Sequence, residues 1–406
     1  MKKNTQITGQ LQLVENAQEM IRELVRKKMQ NAAIELIHGL FDEEIERLCG
    51  PKWSHKKTSK ARRGGWEKGS VKVGGQRLSV KRPRARKGDD EVDLESYSAL
   101  QDFDILCESV MAMMINGVST RNYDGLLDEL SGGLGLKKSS VSKAFIKGSQ
   151  QCLDEINGRD LSQYRFAAIM IDGIEFAGRT VVSVLGITDQ GKKLNIGLKE
   201  GSTENADVVK DLIQELIDRG LDRDNKMLFV IDGSKALKSA IVRVFGKDVA
   251  IQRCIRHKER NILSYLPKKN HGEFRRKWKT LHGVVSYEQA KYDYKKLLAW
   301  LGGLNHEAKN SLLEADMDTL TVIRLNLPDL LRKTLASTNP IESCFSGVRY
   351  KTNRVKNWKG EKQISRWVAA SLLEVEKKYR TIRGFKEIPI LFANLNLGIE
   401  CQEKIA

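Results

Sequence analysis

Three acidic residues far apart in the chain, Asp172, Asp232 and Glu342, have the types and placement of a catalytic set. Asp172 and Asp232 each close an apolar run, Phe166-Ala-Ala-Ile-Met-Ile and Met227-Leu-Phe-Val-Ile, and each precedes a glycine. Glu342 lies in Asn339-Pro-Ile-Glu-Ser, at the start of a helical stretch. Three hard oxygen donors suit Mg2+ (or Mn2+), which takes few protein ligands and leaves positions for phosphate and water. Two such ions per active site would activate an attacking oxygen and stabilise a leaving one during in-line displacement at phosphorus. Each residue also has an ordinary explanation. Asp-Gly commonly makes turns, and Asp232 or Ser234 could merely cap the following helix. Asn339, with Pro340 at the first helical position and Glu342 three residues on, is a capping arrangement. The order strand end, strand end, helix, in a basic chain, is what sets the trio apart.

The elements that must position these residues follow from periodicity. Phe166–Gly173, Thr180–Ile187 and Lys193–Leu198 read as three consecutive strands, with turns at Gly178 and Gln190–Gly191. A helix over about 205–219, a strand over 227–233, a helix over 235–245 and a short strand over 249–252 come next. That order is the order of a ribonuclease-H-like mixed sheet, in which the first and fourth strands are neighbours and bring Asp172 and Asp232 to one edge. From about 265 to 333 the pattern is helical, an insertion before Glu342, and further helices are expected over 340–351 and 362–379. The chain thus reads as multidomain α+β, with the catalytic fold preceded by a mainly helical DNA-binding region containing a small β-hairpin. The expected boundaries are 1–95 (helices and basic hairpin), 96–160 (helical, with a helix-turn-helix candidate), 161–265 (first catalytic part), 266–335 (helical insertion) and 336–406 (second catalytic part).

Charge points to the partner. The net charge is +18, and between Pro51 and Lys87 fourteen Lys/Arg face a single acid, Glu67. Such a block suits a polyanion, because each neutralised phosphate releases a counterion. Trp53, Trp66 and alternating Val71, Val73, Leu78 and Val80 around Gly74–Gly75 argue for a hairpin rather than a loose basic arm. Arg62, Arg63, Arg82, Arg84 and Arg86 are its candidate DNA contacts. Further on, Ser119 could cap a helix through Leu130, and the glycine-rich turn at 131–135 leads to a second helix presenting Lys143 and Lys147. Arg253 and Arg256, with Lys258 and Arg260, would put positive charge beside the carboxylates. Arg349 and Arg354, with Lys351, Lys356 and Lys359, could contact phosphates beyond Glu342. Trp358 among them could stack on an unpaired base, although core packing is the commoner fate of a lone Trp.

Other classes are excluded. No apolar stretch is long enough to span a bilayer, and the polar N-terminus lacks a signal pattern. The six scattered cysteines show no disulfide framework, so a reduced, cytoplasmic setting is expected.

Met170-Ile-Asp-Gly-Ile-Glu-Phe, Phe229-Val-Ile-Asp-Gly-Ser-Lys-Ala-Leu, Gln252-Arg-Cys-Ile-Arg-His-Lys-Glu-Arg-Asn and Ser337-Thr-Asn-Pro-Ile-Glu-Ser resemble the signature blocks of the Mutator-type bacterial insertion-sequence transposases. The resemblance covers roughly residues 100 to 380 and reaches more loosely to the hairpin ending in Arg82-Pro-Arg-Ala-Arg. It implies an Asp-Asp-Glu triad with divalent metal, a helical insertion before the glutamate and recognition of terminal inverted repeats. Carried over by position, the triad is Asp172, Asp232 and Glu342. Cys254 and His257 match the Cys-x-x-His element that similar transposases carry after the second aspartate. Two ligands are too few for structural zinc, no second pair sits at finger spacing, and Cys49 and His55 are another isolated pair. A structural or DNA-positioning role is therefore expected for Cys254 and His257. The resulting expectation is metal-dependent hydrolysis at an element end, freeing a 3′-hydroxyl that attacks target DNA. Because two ends must be handled together, the working form should be a homodimer or larger, in a bacterial cytoplasm and on the nucleoid when DNA-bound. The rivals are a nuclease of the same fold without strand transfer, and a non-enzymatic DNA-binding protein derived from a transposase.

Overall fold

The structure is a computed structural model that describes residues 31–52, 61–73, 76–101, 138–176, 178–203, 205–353 and 362–397, with isolated positions besides. The Gly74–Gly75 turn, Trp53, His55, the first half of the helix-turn-helix candidate (Ser119 through Gly135), Arg354, Lys356 and Lys359 lie outside the described residues. Two compact units are present, Met1–Gly148 and Ser149–Ala406.

In the first unit, helix α1 (31–49) packs against a three-stranded antiparallel sheet of β1 (Arg62–Val73), β2 (Gln76–Lys87) and β3 (Asp90–Val92). The hairpin is longer than alternation alone predicts. Val73 pairs with Gln76 as the two-residue connection requires, but the ladder runs out to Arg62↔Arg86 through Arg-Arg-Gly-Gly-Trp-Glu-Lys-Gly-Ser, which carries no apolar alternation. Register shifts between Arg63 and Trp66, where Gly65 has φ of 81°, the left-handed value a bulge asks of glycine. Ile37 and Phe41 of α1 cover Val71, Leu78 and Val80. Buried Glu44 caps α2 (Glu95–Gln101), accepting the backbone N–H groups of Glu95 and Ser96 at 2.8 and 3.0 Å. A carboxylate at a helix N-terminus meets the unpaired amides there. Helix α3 (Lys138–Gly158) contributes residues to both units.

The second unit is built on a five-stranded mixed sheet. Its strands β4 (Phe166–Phe176), β5 (Arg179–Thr188), β6 (Lys193–Glu200), β7 (Leu228–Ile231) and β8 (Ala250–Arg253) lie in the order β6-β5-β4-β7-β8. The first three form antiparallel hairpins, while β7 and β8 run parallel to β4. Both faces are covered, so β4 is apolar on both sides. Ile169 and Ile171 face α4 (Ala206–Asp218) and α5 (Lys235–Phe245). In α4 the positions Val209, Leu212, Ile213 and Leu216 make one apolar stripe, and Asn205 caps the helix by accepting the N–H groups of Asp207 and Val208.

Ala168, Met170 and Ile174 of β4 face the other way. They meet a second helical layer that includes α12 (Asn339–Thr352), α13 (Gln363–Glu376) and α14 (Ile388–Asn396). Between β8 and α12 the chain is helical, through α6 (Ile255–Tyr265), α7 (His271–Gly283), α8 (Tyr287–Gly302), α9 (His306–Ala315), α10 (Thr321–Arg324) and α11 (Asp329–Leu335). Phe274, Trp278, Leu281, Tyr294, Leu297, Leu301 and Leu312 give this stretch a core of its own. No helix among the described residues is long and apolar enough to cross a membrane.

Candidate active site

Asp172 does not end its strand. β4 continues to Phe176 in a hairpin with β5, whereas its parallel pairing with β7 stops at Ile171↔Ile231. Asp172 and Asp232 are therefore the first residues past the last parallel pair, on adjacent strands. Side chains alternate along a strand, so Asp172 shares its face with Ala168, Met170 and Ile174, the face packed by α12. That helix carries Glu342 in its first turn.

Asp172 is buried, at 6% exposure. Burial first, and the neighbouring charges of Asp232 and Glu342 after it, push its carboxyl up to about 6 from an ordinary 3.8, against the opposing pull of His257 and the Gly173 N–H. A buried carboxyl raised further by two neighbouring carboxylates lies where added positive charge is favoured. Asp232 is held by both oxygens: Oδ1 accepts the Ser234 N–H at 2.9 Å and Oδ2 accepts the Thr203 hydroxyl at 3.1 Å. Ser234 also caps α5, so the ordinary role expected of that turn is present too. Glu342 Oε1 accepts the Thr338 hydroxyl at 3.2 Å and lies 3.4 Å from Arg260 and 3.6 Å from His257 Nε2.

Cys254 and His257 belong to this cluster. Cys254 follows β8 and begins α6, which puts His257 one turn along on the same side. Its sulfur accepts the N–H of Thr338 at 3.4 Å and lies 3.3 Å from the Thr338 hydroxyl, whose single proton can go to this sulfur or to Glu342. Burial raises the Cys254 thiol, but His257 and the Thr338 donors outweigh it and leave the thiol below its ordinary range. The adjacent sulfur carries His257 up to about 9 against the cost of burial, with Asp172 adding to the rise.

The cationic candidates separate by exposure. Arg256 is 58% exposed and pairs loosely with Glu259 at 3.6 Å. Arg349 is exposed in the last turn of α12. Arg253 is only 3% exposed, and its guanidinium is spent on Glu314 at 3.2 and 3.3 Å. Lys258, equally buried, takes the same carboxylate at 2.7 Å. Arg253 is thus closed to a ligand in this conformation and instead presses on the active-site turn: a Cβ on Gly233 would stand 2.9 Å from its guanidinium. In the first unit, Arg82 and Arg84 are tied to Glu67 and Glu91. Arg62 is 66% exposed, Arg63 is exposed, and Arg86 is half-buried. Lys143 and Lys147 lie one turn apart on the exposed side of α3. Trp358 rests against Phe176 and Trp367, so its ring is part of the core.

Reasoning from sequence missed three residues. Thr338 touches both Cys254 and Glu342. Thr203 holds Asp232 from the loop before α4. Ser183 stands opposite Asp172 in the β4–β5 ladder, buried, with no protein partner for its hydroxyl. Thr338 had a signal, being four residues before Glu342 in a block already singled out. Thr203 and Ser183 had none, because only pairing and loop placement bring them in.

Comparison with known proteins agrees with the resemblance. The chain is 26% identical over 365 residues to the transposase for insertion sequence element IS256 in transposon Tn4001 from Staphylococcus aureus, covering 83% of this chain and 87% of the relative. It is 27% identical over 377 residues to the transposase for element ISRM5 from Rhizobium meliloti, with 88% of each chain covered. With the transposase for element IS1201 from Lactobacillus helveticus it shares 24% identity over 379 residues, 88% of this chain and 96% of that one. A family profile described as "Transposase, Mutator family" matches residues 2–381, nearly the whole length, and the chain therefore belongs to the Mutator family of transposases.

Proposed function

We propose that this protein is the transposase of an insertion sequence, binding the terminal inverted repeats of its element as double-stranded DNA and cutting and joining it at Asp172, Asp232 and Glu342. The observation that carries this reading is placement: Asp172 and Asp232 follow the last parallel pair of two adjacent strands, and α12, with Glu342 in its first turn, packs against the face of β4 that bears Asp172. The strand order and the helical stretch before Glu342 support a ribonuclease-H-like catalytic fold with a helical insertion. The donor set is all oxygen from three acids, which fits Mg2+ or Mn2+. Two ions bound there would supply activation of the attacking oxygen and stabilisation of the leaving one.

The chain's own residues do the rest. Asp172 and Asp232, fixed on adjacent strands, provide a rigid pair of ligands, and Glu342 completes the set from the first turn of α12. Thr203 and the Ser234 amide orient Asp232. Thr338 and His257 contact the Glu342 carboxylate and set its position in the resting protein. Arg256, Arg260 and Arg349 are the exposed cations of the second unit for phosphates near the cut, and Arg62, Arg63, Arg86, Lys143 and Lys147 are the DNA contacts of the first unit. Arg82 and Arg84 would have to leave their glutamates to join them. A homodimer or larger assembly would hold two ends at once.

The test is incubation of the purified protein with its flanking genomic ends and Mg2+ or Mn2+, followed by mapping of cuts and joined products. Cuts at the element ends with joined products support the reading. Nicks alone favour the nuclease, and binding without cuts favours the non-enzymatic derivative.

A further inference from the structure

A Cys-x-x-His pair offers only two ligands, but the fold supplies a third. One donor atom each from Cys254, His257 and Glu342 lies within 4.8 Å of the others, and His257 Nε2 is 3.6 Å from Glu342 Oε1. Four-coordinate zinc, with bonds of about 2.0 to 2.3 Å, holds neighbouring donors roughly 3.3 to 3.8 Å apart. A contraction of about 1 Å would close the set, and the Glu342 side chain, one-third exposed, has the freedom to make it. The sulfur is prepared for such a role. Cys254 makes no side-chain cap to its helix, yet accepts the N–H of Thr338 and has the Thr338 hydroxyl, 3.3 Å away, free to turn to it once Glu342 moves. Donors of that kind, in the outer shell of a metal site, orient a thiolate ligand. Cys254 is buried, whereas His257 and Glu342 are partly open and give the side from which an ion would enter.

We propose that Cys254, His257 and Glu342 form a site for a thiophilic divalent cation of the zinc class, distinct in chemistry from the all-oxygen site but sharing Glu342 with it. Mg2+ avoids sulfur and zinc accepts it, so the two sites select different ions. Occupancy of the sulfur site draws Glu342 toward Cys254, displacing Arg260 and the Thr338 hydroxyl from its carboxylate, and takes it from the aspartates. Zinc would then hold the enzyme inactive. That last consequence rests on the proposed role of Glu342 in cleavage, whereas the binding itself does not.

The binding test uses full-length, metal-free protein titrated with Cd2+, read by thiolate-to-metal absorption in the presence of excess Mg2+. One tight ion per chain is expected. The absorption should be lost in Cys254→Ser and the affinity should fall at least about 10-fold in His257→Ala and Glu342→Gln, with circular dichroism verifying the fold of each. Unchanged absorption in Cys254→Ser, or unchanged affinity in Glu342→Gln, overturns the site; should Cys254→Ser not fold, the other two variants decide. The regulatory consequence is read as the ratio of Mg2+-dependent cleavage rates with and without one equivalent of Zn2+. A ratio at least about 10-fold below one in the native protein, returning toward one in His257→Ala, is expected, and a ratio near one in the native protein overturns the inhibition. If the protein does not cleave at all, the functional reading fails while the Cd2+ result still stands.

Discussion

The two sheets of this protein use the same ion pair, arginine with glutamate, at opposite depths. In the first unit Arg82 reaches Glu67 and Glu91 at 3.0 and 3.2 Å on a partly open surface. In the second, Arg253 reaches Glu314 at 3.2 Å with its own side chain 3% exposed and a second buried cation, Lys258, on the same carboxylate. Surface pairs contribute about 0 to 1 kcal/mol and are exchangeable for other partners, DNA phosphates included. Buried charges are costly to leave unpaired. The first sheet is therefore suited to affinity spread over many replaceable cations, and the second to a few groups whose loss is not compensated. Asp172 extends the contrast, being a buried acid whose carboxyl is raised chiefly by that burial.

The largest effect that could break this comparison lies at the carboxylates. Alanine at Asp172, Asp232 or Glu342 is expected to reduce cleavage of end DNA by on the order of 10³-fold or more, about 4 kcal/mol of barrier. DNA affinity measured by gel shift should stay nearly the same. Any variant that keeps cutting removes its residue from the set.

Next comes the buried triad. Glu314→Ala leaves Arg253 and Lys258 without their counter-ion and should cost roughly 3 kcal/mol in urea unfolding, the low end for buried pairs because Glu314 is about one-third exposed. Replacing all three residues with apolar side chains of similar volume should recover most of that loss. Equal instability in the single and triple variants would mean that packing, not charge, is at stake.

Asp172 gives a pH signature in the metal-free protein. With its carboxyl at about 6 when folded against an ordinary 3.8, the folded state binds the proton more tightly. Its contribution to stability is thus best below about pH 4 and is lost as pH rises to about 6. Asp172→Asn should flatten that window and raise stability at pH 7 by up to roughly 3 kcal/mol, and saturating Mg2+ should do likewise. Above it His257 takes over: raised to about 9, its favourable contribution is complete below 6.5 and disappears as pH climbs through 9. A flat stability profile between about pH 4 and 6 in the native protein would refute the buried-acid account.

The smallest effect is at the basic ribbon. Arg62→Ala with Arg63→Ala should lower the slope of log affinity against log salt by about 2, near 0.9 for each phosphate that is no longer neutralised. Arg82→Ala, whose charge is already balanced by Glu67 and Glu91, should leave the slope nearly unchanged. A similar fall in both would show that the ribbon's internal pairs open on DNA.

Much of the fold is legible in the sequence alone. Alternation and helical period mark the strands β4 to β8 and the helices between them, because an element that buries one or two faces writes that burial into its apolar pattern. The stretch Arg62–Ser70 is not legible as strand, since its pairing is supplied by β2 rather than by its own residues. Nor is α14, or the continuation of β4 beyond Asp172.

By itself the sequence determined which residues carry charge, sulfur and imidazole, which segments bury apolar faces, and which blocks place the chain in its family. Only the tertiary structure decided which of those groups meet. Arg253 and Arg256 are three residues apart, yet one is sealed onto Glu314 and the other faces solvent. Cys254 and His257 gain Glu342 from a helix more than eighty residues away. Local pattern encodes the face an element buries, but the partner across that face is chosen by packing between segments distant in the chain, and it is the partner that sets a side chain's charge, reach and chemistry.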